Sequence, residues 1–152
     1  MGTDAADSGE LKLETFLPYL LSVASNTISG GIADLYAERF ELSIPQWRIM
    51  AVVGRFDGLS ARQVAERTAM DKVAVSRALK RLEDRGYLHR RMSNQDRRRS
   101  VLKLTDEGRA VYGQVAPMAV DYETRLLQTL SPEERATLSE LLERLMTQAR
   151  SL

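Results

Sequence analysis

Cysteine is absent from the sequence, and histidine occurs once, as His89. The first absence excludes disulfides, thiolate catalysis and cysteine-based redox sensing. The second excludes a multi-histidine metal site, so neither a metal nor a cofactor is expected. No apolar run approaches the roughly 18 residues that span a bilayer, and no membrane partner is expected. The opening stretch MGTDAADSGE is small, polar and acidic. It lacks the basic start and apolar centre of a signal peptide and reads as a loose tail on a cytoplasmic protein. A Gly-rich phosphate loop and its lysine are missing too. The pair Glu133-Glu134 sits where the first turn of a helix is expected, and the helix dipole accounts for it. An enzyme is therefore not expected, and no catalytic residue is assigned.

What is present is enough apolar residue to build a core, 43% of the 152 residues, in a length that suits one compact domain with or without extensions. The net charge of +1 conceals an asymmetry. Residues 43–104 hold 15 Lys/Arg against 6 Asp/Glu, whereas residues 1–42 hold 2 against 7 and residues 105–152 hold 5 against 8. A basic middle between acidic flanks is the footprint of a nucleic-acid-binding module in a scaffold that stays off the acid. Ordinary surface scatter is the competing reading.

The chain punctuates itself clearly. A first helix is expected from about Glu14 to Phe40, with Phe16, Leu20, Val23, Thr27 and Ile28 at helical spacing. Gly30-Gly31 weakens its middle by about 1 kcal/mol per glycine and marks either a kink or a close helix contact. Ser43-Ile44-Pro45-Gln46 is a capping box with proline in the first turn; Ile49, Val52, Val53 and Phe56 line the helix it starts, and Asp57-Gly58 ends it. Ser60-Ala61-Arg62-Gln63 repeats the box for a short helix ending near Thr68. Asp71 caps a helix to about Arg85, closed by Gly86 in left-handed conformation. Tyr87–Met92 and Ser100–Leu104 flank the polar tip SNQDRRR as a hairpin. Thr105 caps a long helix to about Leu130, which Pro117 is expected to bend. Ser131-Pro132-Glu133-Glu134 is a third capping box, opening a last helix with Leu138, Leu141, Leu142, Leu145 and Met146. The expected fold is mostly α with a small β-hairpin wing: a winged helix-turn-helix with N- and C-terminal dimerisation helices.

The helix from Asp71 to Arg85 carries the functional argument. At 100° per residue, Val75, Ala78, Leu79 and Leu82 share one face and pack inward. The opposite face carries Val73, Ser76, Arg77, Lys80 and Arg81, cationic at its centre and small near its start. A major groove about 12 Å wide admits such a helix. Arg77 suits the acceptor edge of guanine, Val73 a thymine methyl, and Ser76 is adaptable. Lys72, Lys80 and Arg81 suit phosphates, which set register without reading sequence. Ser60 and Ala74 complete the expected DNA-facing set. The rival reading, a solvated surface helix, usually mixes charge signs in (i, i+4) pairs, whereas here Glu83 and Asp84 stand only at the far end.

At the wing tip, Arg97, Arg98 and Arg99 stand in a row beside Asp96. Consecutive arginines repel unless a polyanion neutralises them, and a narrow A·T-rich minor groove attracts one or two. Asp96 is read as holding a neighbouring arginine by a charge-assisted bond; a merely soluble turn is the alternative.

These residues resemble a known family. ELSIPQWRIM and LSARQVAERTAMDKVAVSRALKRLEDRGYLHRRMSNQDRRRSVLKLTDEG are similar to the MarR family of bacterial regulators, over about Leu42 to Gly108. The most specific parts are LEDRGYLHRR, Asp96-x-Arg98 and LKLTDEG. The resemblance implies an obligate dimer of triangular outline with interleaved terminal helices, Arg98 in the minor groove and Asp96 orienting it. The leucine-rich ends agree, because Phe16, Leu17, Leu20, Leu21, Leu126, Leu127, Leu130, Leu138, Leu141, Leu142 and Leu145 would leave an apolar patch on a monomer. The expected division is a flexible tail (1–12), a dimerisation helix (13–42), the winged module (43–104) and further dimerisation helices (105–152).

Members of that family usually repress, and many release DNA when a small phenolic or carboxylate ligand binds between dimer helices and reading module. FLPYLLSVASNTISGGIADLYAERF is similar to members associated with aromatic-acid catabolism. The resemblance implies a small aromatic carboxylate or CoA thioester as ligand, with Tyr19, Val23, Asn26, Trp47, Met50, His89 and Tyr112 placed to line its pocket. Each has a plainer reading: Trp47 and Met50 as core, His89 as a phosphate contact. Arg39 and Arg48 are candidates to pair with a ligand carboxylate or simple surface charges. The expectation is thus a ligand-responsive homodimeric repressor of a catabolic or efflux operon, bound to an inverted-repeat operator in double-stranded DNA. A ligand-independent activator, an architectural DNA-binding protein and a helical protein-interaction module are the alternatives.

Overall fold

The computed structural model describes residues 9–92 and 99–152. Its helices are α1 (Leu17–Phe40), α2 (Ile44–Arg55), α3 (Ala61–Thr68), α4 (Lys72–Asp84), α5 (Asp106–Leu126) and α6 (Pro132–Ser151), with 3₁₀ turns at Leu13–Thr15 and Leu127–Thr129. Two strands, β1 (Leu88–Met92) and β2 (Ser100–Leu104), pair antiparallel between α4 and α5, with Leu88 opposite Leu104 and Met92 opposite Ser100. The order is two helices, the helix-turn-helix of α3 and α4, the hairpin wing, then two further helices, as expected.

Local chemistry explains most boundaries. Ser43, Ser60 and Ser131 each accept the N–H three residues on, and the Gln or Glu there accepts from the serine N–H in return. Those contacts satisfy two orphan donors per helix. In the third box, the Ser131 N–H donated to the Glu134 carboxylate, with help from the serine hydroxyl, holds that carboxyl below the usual glutamate range. Gly86, with φ at +74°, ends α4: its N–H donates to Glu83 and that of Tyr87 to Leu82, a Schellman closure.

One boundary differs from expectation. α1 begins at Leu17, not Glu14, and Leu13–Thr15 forms a separate 3₁₀ turn with Phe16 extended. The cause is Pro18. It has no N–H to donate to a carbonyl four residues back, so it fits only in the first turn and sets the start of the helix beside itself. α1 then runs unbroken through Gly30-Gly31. Of the two roles expected for that pair, Gly31 serves as a close contact: a Cβ there would stand 2.1 Å from the Tyr122 hydroxyl of α5. α5 continues as one helix through Pro117 to Leu126, and a 3₁₀ turn follows where helix was expected.

The core lies where α2, α3, α4 and the hairpin converge. Ile49, Met50, Val53, Val64, Val75, Leu79, Leu82, Leu88 and Leu102 are buried there, with Val111 and Val115 from α5, Tyr36 from α1 and Leu42 from the link between α1 and α2. Burial pushes the Tyr36 phenol up, against the opposing pull of the Arg48 guanidinium. The loop before α3 is stitched to the wing by the Leu102 N–H donated to Leu59 at 2.8 Å. α6, by contrast, buries no residue within the chain.

Candidate nucleic-acid interface

α4 divides as its periodicity requires. Val75, Ala78, Leu79 and Leu82 are buried at 5% exposure or less, while Val73, at 55%, stands open beside exposed Lys72, Ser76, Arg77, Lys80 and Arg81. Ala74 is half-buried and donates its N–H to the Asp71 carboxylate cap at 3.2 Å. Val73 is the one large apolar residue of α4 that is left in solvent, on the same face as the cationic side chains. Lys80 reaches Asp84 at 3.3 Å, but with both side chains largely in solvent the pair is worth only about 0.3–0.5 kcal/mol and yields readily to a phosphate. Arg77 and Arg81 make no ion pair among the described residues, and both line the shallow hollows on either side of α4.

An open groove of about 800 Å³ runs between α3, α4 and the wing. Ala61, Arg62, Ala65 and Glu66 of α3 face Lys72 and Ser76 of α4 across it, with Arg90 of β1 at one side. Ser60 caps α3 above it; its hydroxyl accepts from Gln63 N–H at 3.2 Å and keeps its own proton free to donate to a phosphate.

The wing is tied back to both helices. Arg90 donates to the Glu83 carboxylate at 2.7 Å, joining β1 to the end of α4. Arg99 donates to the Gln63 side chain, joining the start of β2 to the cap of α3. The sequence places Arg99 among the DNA contacts; its guanidinium here rests beside the N-terminus of α3 and steadies the wing base. Asp96, Arg97 and Arg98 lie outside the described residues. Arg62, Arg90 and Gln63 are not singled out by the sequence as DNA contacts. Arg62 sits on the exposed first turn of α3, a position that the capping box itself could have flagged.

The residues expected to line a ligand pocket divide into two groups. Trp47 packs between Tyr36 and Tyr112, with ring centroids at 5.8 and 5.9 Å, and Tyr112 lies nearly parallel to it. Tyr112 also fills the space left by Gly54. Met50 is fully buried core, in line with its plainer reading. Tyr19, Val23 and Asn26 are exposed on the N-terminal half of α1, away from the core. His89 stands half-buried on β1 opposite Lys103. Arg48 donates to the Ser29 hydroxyl at 2.9 Å and Arg39 to Gln114 at 3.2 Å, so both already brace helices.

A family model described as MarR family matches residues 40–99, the winged module up to the start of its second strand. TtmR, a helix-turn-helix transcriptional regulator of Methylorubrum extorquens, is 29% identical over 103 residues, 68% of this chain and 52% of the relative. The chain thus spans about half the length of that relative. Among solved structures, a MarR/EmrR family regulator from Acinetobacter sp. ADP1 superposes with a TM-score of 0.86 at 23% identity, over 93% of this chain and 100% of that one. At that identity the likeness is one of fold. PcaV of Streptomyces coelicolor, crystallised with its natural ligand, superposes with a TM-score of 0.75 at 26% identity, over 92% and 98% of the two chains. Among the described residues no helix is long and apolar enough to cross a membrane. With the winged module matched over residues 40–99, its exposed cationic helix in place and the flanking helices arranged as in those structures, the chain is similar to the MarR family of winged helix-turn-helix transcriptional regulators.

Proposed function

We propose that this protein binds an inverted-repeat operator in double-stranded DNA as a homodimer and represses a catabolic or efflux operon. A small aromatic carboxylate or its CoA thioester is the proposed releasing ligand. The observation that carries the DNA reading is the division of α4: four apolar side chains buried, five polar or cationic ones and Val73 in solvent. On that basis Ser60, Lys72, Val73, Ala74, Ser76, Arg77, Lys80 and Arg81 form the contact face, and Arg62 and Arg90 extend it along the groove. The wing-tip residues Arg97, Arg98 and Asp96 keep the roles that the resemblance implies.

The homodimer is supported by the ends of the chain. Phe16, Leu17, Leu20 and Val23 of the α1 segment, and Leu138, Leu141, Leu145 and Met146 of α6, are all between 41% and 49% exposed. Such a patch exceeds what a monomer in water usually leaves open. A two-fold dimer covers it and sets two copies of α4 about 34 Å apart, one turn of DNA.

Selection of bound duplexes from a random pool tests this reading. The recovered sites are expected to be inverted repeats with half-sites about 10 base pairs apart. Arg77→Ala should relax preference at one position per half-site by about 1–3 kcal/mol. Lys80→Ala should weaken all sequences alike and reduce the log–log salt slope by about 0.9 per phosphate lost in each half-site. Recovery of sites with no repeat, or equal effects of the two substitutions on base preference, would refute it.

Support for the ligand comes from the stacked, half-buried pair Trp47–Tyr112 at the junction of α2 and α5, backed by buried Tyr36 of α1, with Arg48 close by. The family resemblance adds Tyr19, Val23, Asn26, Met50 and His89 to that set. A panel of aromatic acids and thioesters should contain a compound that raises the melting temperature and weakens operator binding together. At 100 times its dissociation constant the stabilisation is about 2.7 kcal/mol. A panel that moves neither quantity counts against ligand release in this form.

A further inference from the structure

Arg85 stands at the C-cap of α4, half-buried. Its Nη1 donates to the Glu41 carbonyl at 2.7 Å and its Nη2 to the Phe40 carbonyl at 2.6 Å. Nη2 also lies 3.3 Å from the Tyr87 hydroxyl, and the guanidinium carbon is 4.7 Å from the Tyr87 ring centroid. Phe40 is the last residue of α1 and Glu41 its C-cap, held left-handed at φ 53°. The last carbonyls of a helix have no partner within it and carry the negative end of its dipole. The end of α1 is therefore capped by a side chain of the reading helix, 44 residues away in sequence.

The packing around this fork makes it a joint. α1 rests chiefly on α5 and α2, while α4 rests on α2, α3 and β1. Among the described residues the Arg85 fork is the direct polar bridge between α4 and the end of α1. Its chemistry suits a fixed angle. A planar guanidinium presents parallel donors to two successive carbonyls, whereas a lysine ammonium holds one point without setting orientation. The Tyr87 ring beneath removes a further degree of freedom.

We propose that Arg85 is a positioning residue for operator spacing: it locks α4 to α1, and so sets the separation and relative angle of the two reading helices across the dimer. The inference rests on the dimeric DNA-binding reading given above. One base pair inserted between half-sites shifts the second by about 3.4 Å and turns it by about 35°. A rigid joint rejects that site, and a loosened joint lets α4 follow it.

The test uses the full chain, an operator selected by the unaltered protein, the same operator with one central base pair inserted or removed, and an isolated half-site. For the unaltered protein, the altered spacing should cost about tenfold or more in affinity. Arg85→Met keeps the aliphatic stem on Tyr87 and loses both donors. It should cut that penalty to about threefold or less while half-site affinity stays unchanged. Arg85→Lys, which keeps the charge, should fall between and covers the case in which the methionine variant does not fold. A residue that merely stabilises the fold would lower the melting temperature and all affinities in step, with the spacing ratio unchanged; that result overturns the proposal and leaves the dimer reading standing. If the unaltered protein selects no inverted repeat, both fall.

Discussion

Replacing Gly108 with alanine is expected to destabilise the protein by about 3–4 kcal/mol and to lower its melting temperature by about 10 °C. Gly108 lies in the first turn of α5 and is buried. An alanine Cβ there would stand 1.9 Å from the Tyr87 carbonyl oxygen, 2.8 Å from its carbonyl carbon and 3.0 Å from its Cα. All three are backbone atoms, so no side-chain rotation relieves the overlap. The strand start and the helix must separate instead. That separation would strain Thr105, which caps α5 by accepting the Gly108 N–H at 3.0 Å, donates its hydroxyl to Gly86 and donates its N–H to Tyr87 at 3.1 Å. The clash thus falls on the one turn where α4, the wing and α5 meet. Calorimetry on the purified variant checks this, and a melting temperature within about 2 °C of the parent would show that the junction is more yielding than its geometry implies.

Leu82→Ala is expected to cost about 3–5 kcal/mol, the upper range for a leucine truncated in a core. Leu82 is completely buried, among Val75, Ala78 and Leu79 of its own helix and the apolar residues of α2 and the hairpin. The cavity opens directly beneath the reading face, and Leu82 is also the acceptor for Tyr87 N–H in the turn that closes α4. Loss of operator binding should therefore track loss of folded protein in a denaturant titration. Arg77→Ala, on the same helix but exposed, should leave the stability within about 0.5 kcal/mol of the parent while altering base preference. This pair of substitutions on one helix would then separate folding from reading. A Leu82→Ala protein with unchanged midpoint would contradict the burial on which the orientation of α4 depends.

Much of this arrangement is legible in the residues alone. Five helix starts are marked by side chains that cap over three residues: Ser43, Ser60, Asp71, Thr105 and Ser131. All five cap in the fold. The facing of α4 follows from its 3.6-residue period, since the residues that share a face at that spacing are the ones buried in space. Apolar spacing by itself misplaces the start of α1, because it takes no account of Pro18, and the missing N–H of a proline is the stricter rule. The glycine pair in α1 is ambiguous: Gly31 has the Tyr122 ring against it and Gly30 has open space, and nothing in their spacing distinguishes them.

What escapes the sequence has a common form. Arg85 on Phe40 and Glu41, Arg99 on Gln63, and Gly108 against Tyr87 join residues 21 to 45 positions apart. Arginine is abundant in the basic middle of the chain, and composition cannot say which guanidinium faces solvent and which is taken up by a carbonyl or a side-chain amide. The amino-acid sequence by itself determined the helices, their caps, the buried face of α4 and the cationic surface opposite, because each depends on residues within one or two turns of one another. Only the tertiary structure decided how α4 is tied to α1, how the wing base is braced and where a single methyl group cannot fit. Those depend on the directions in which separate elements approach, and direction is set by the packed core as a whole rather than by any local run of residues.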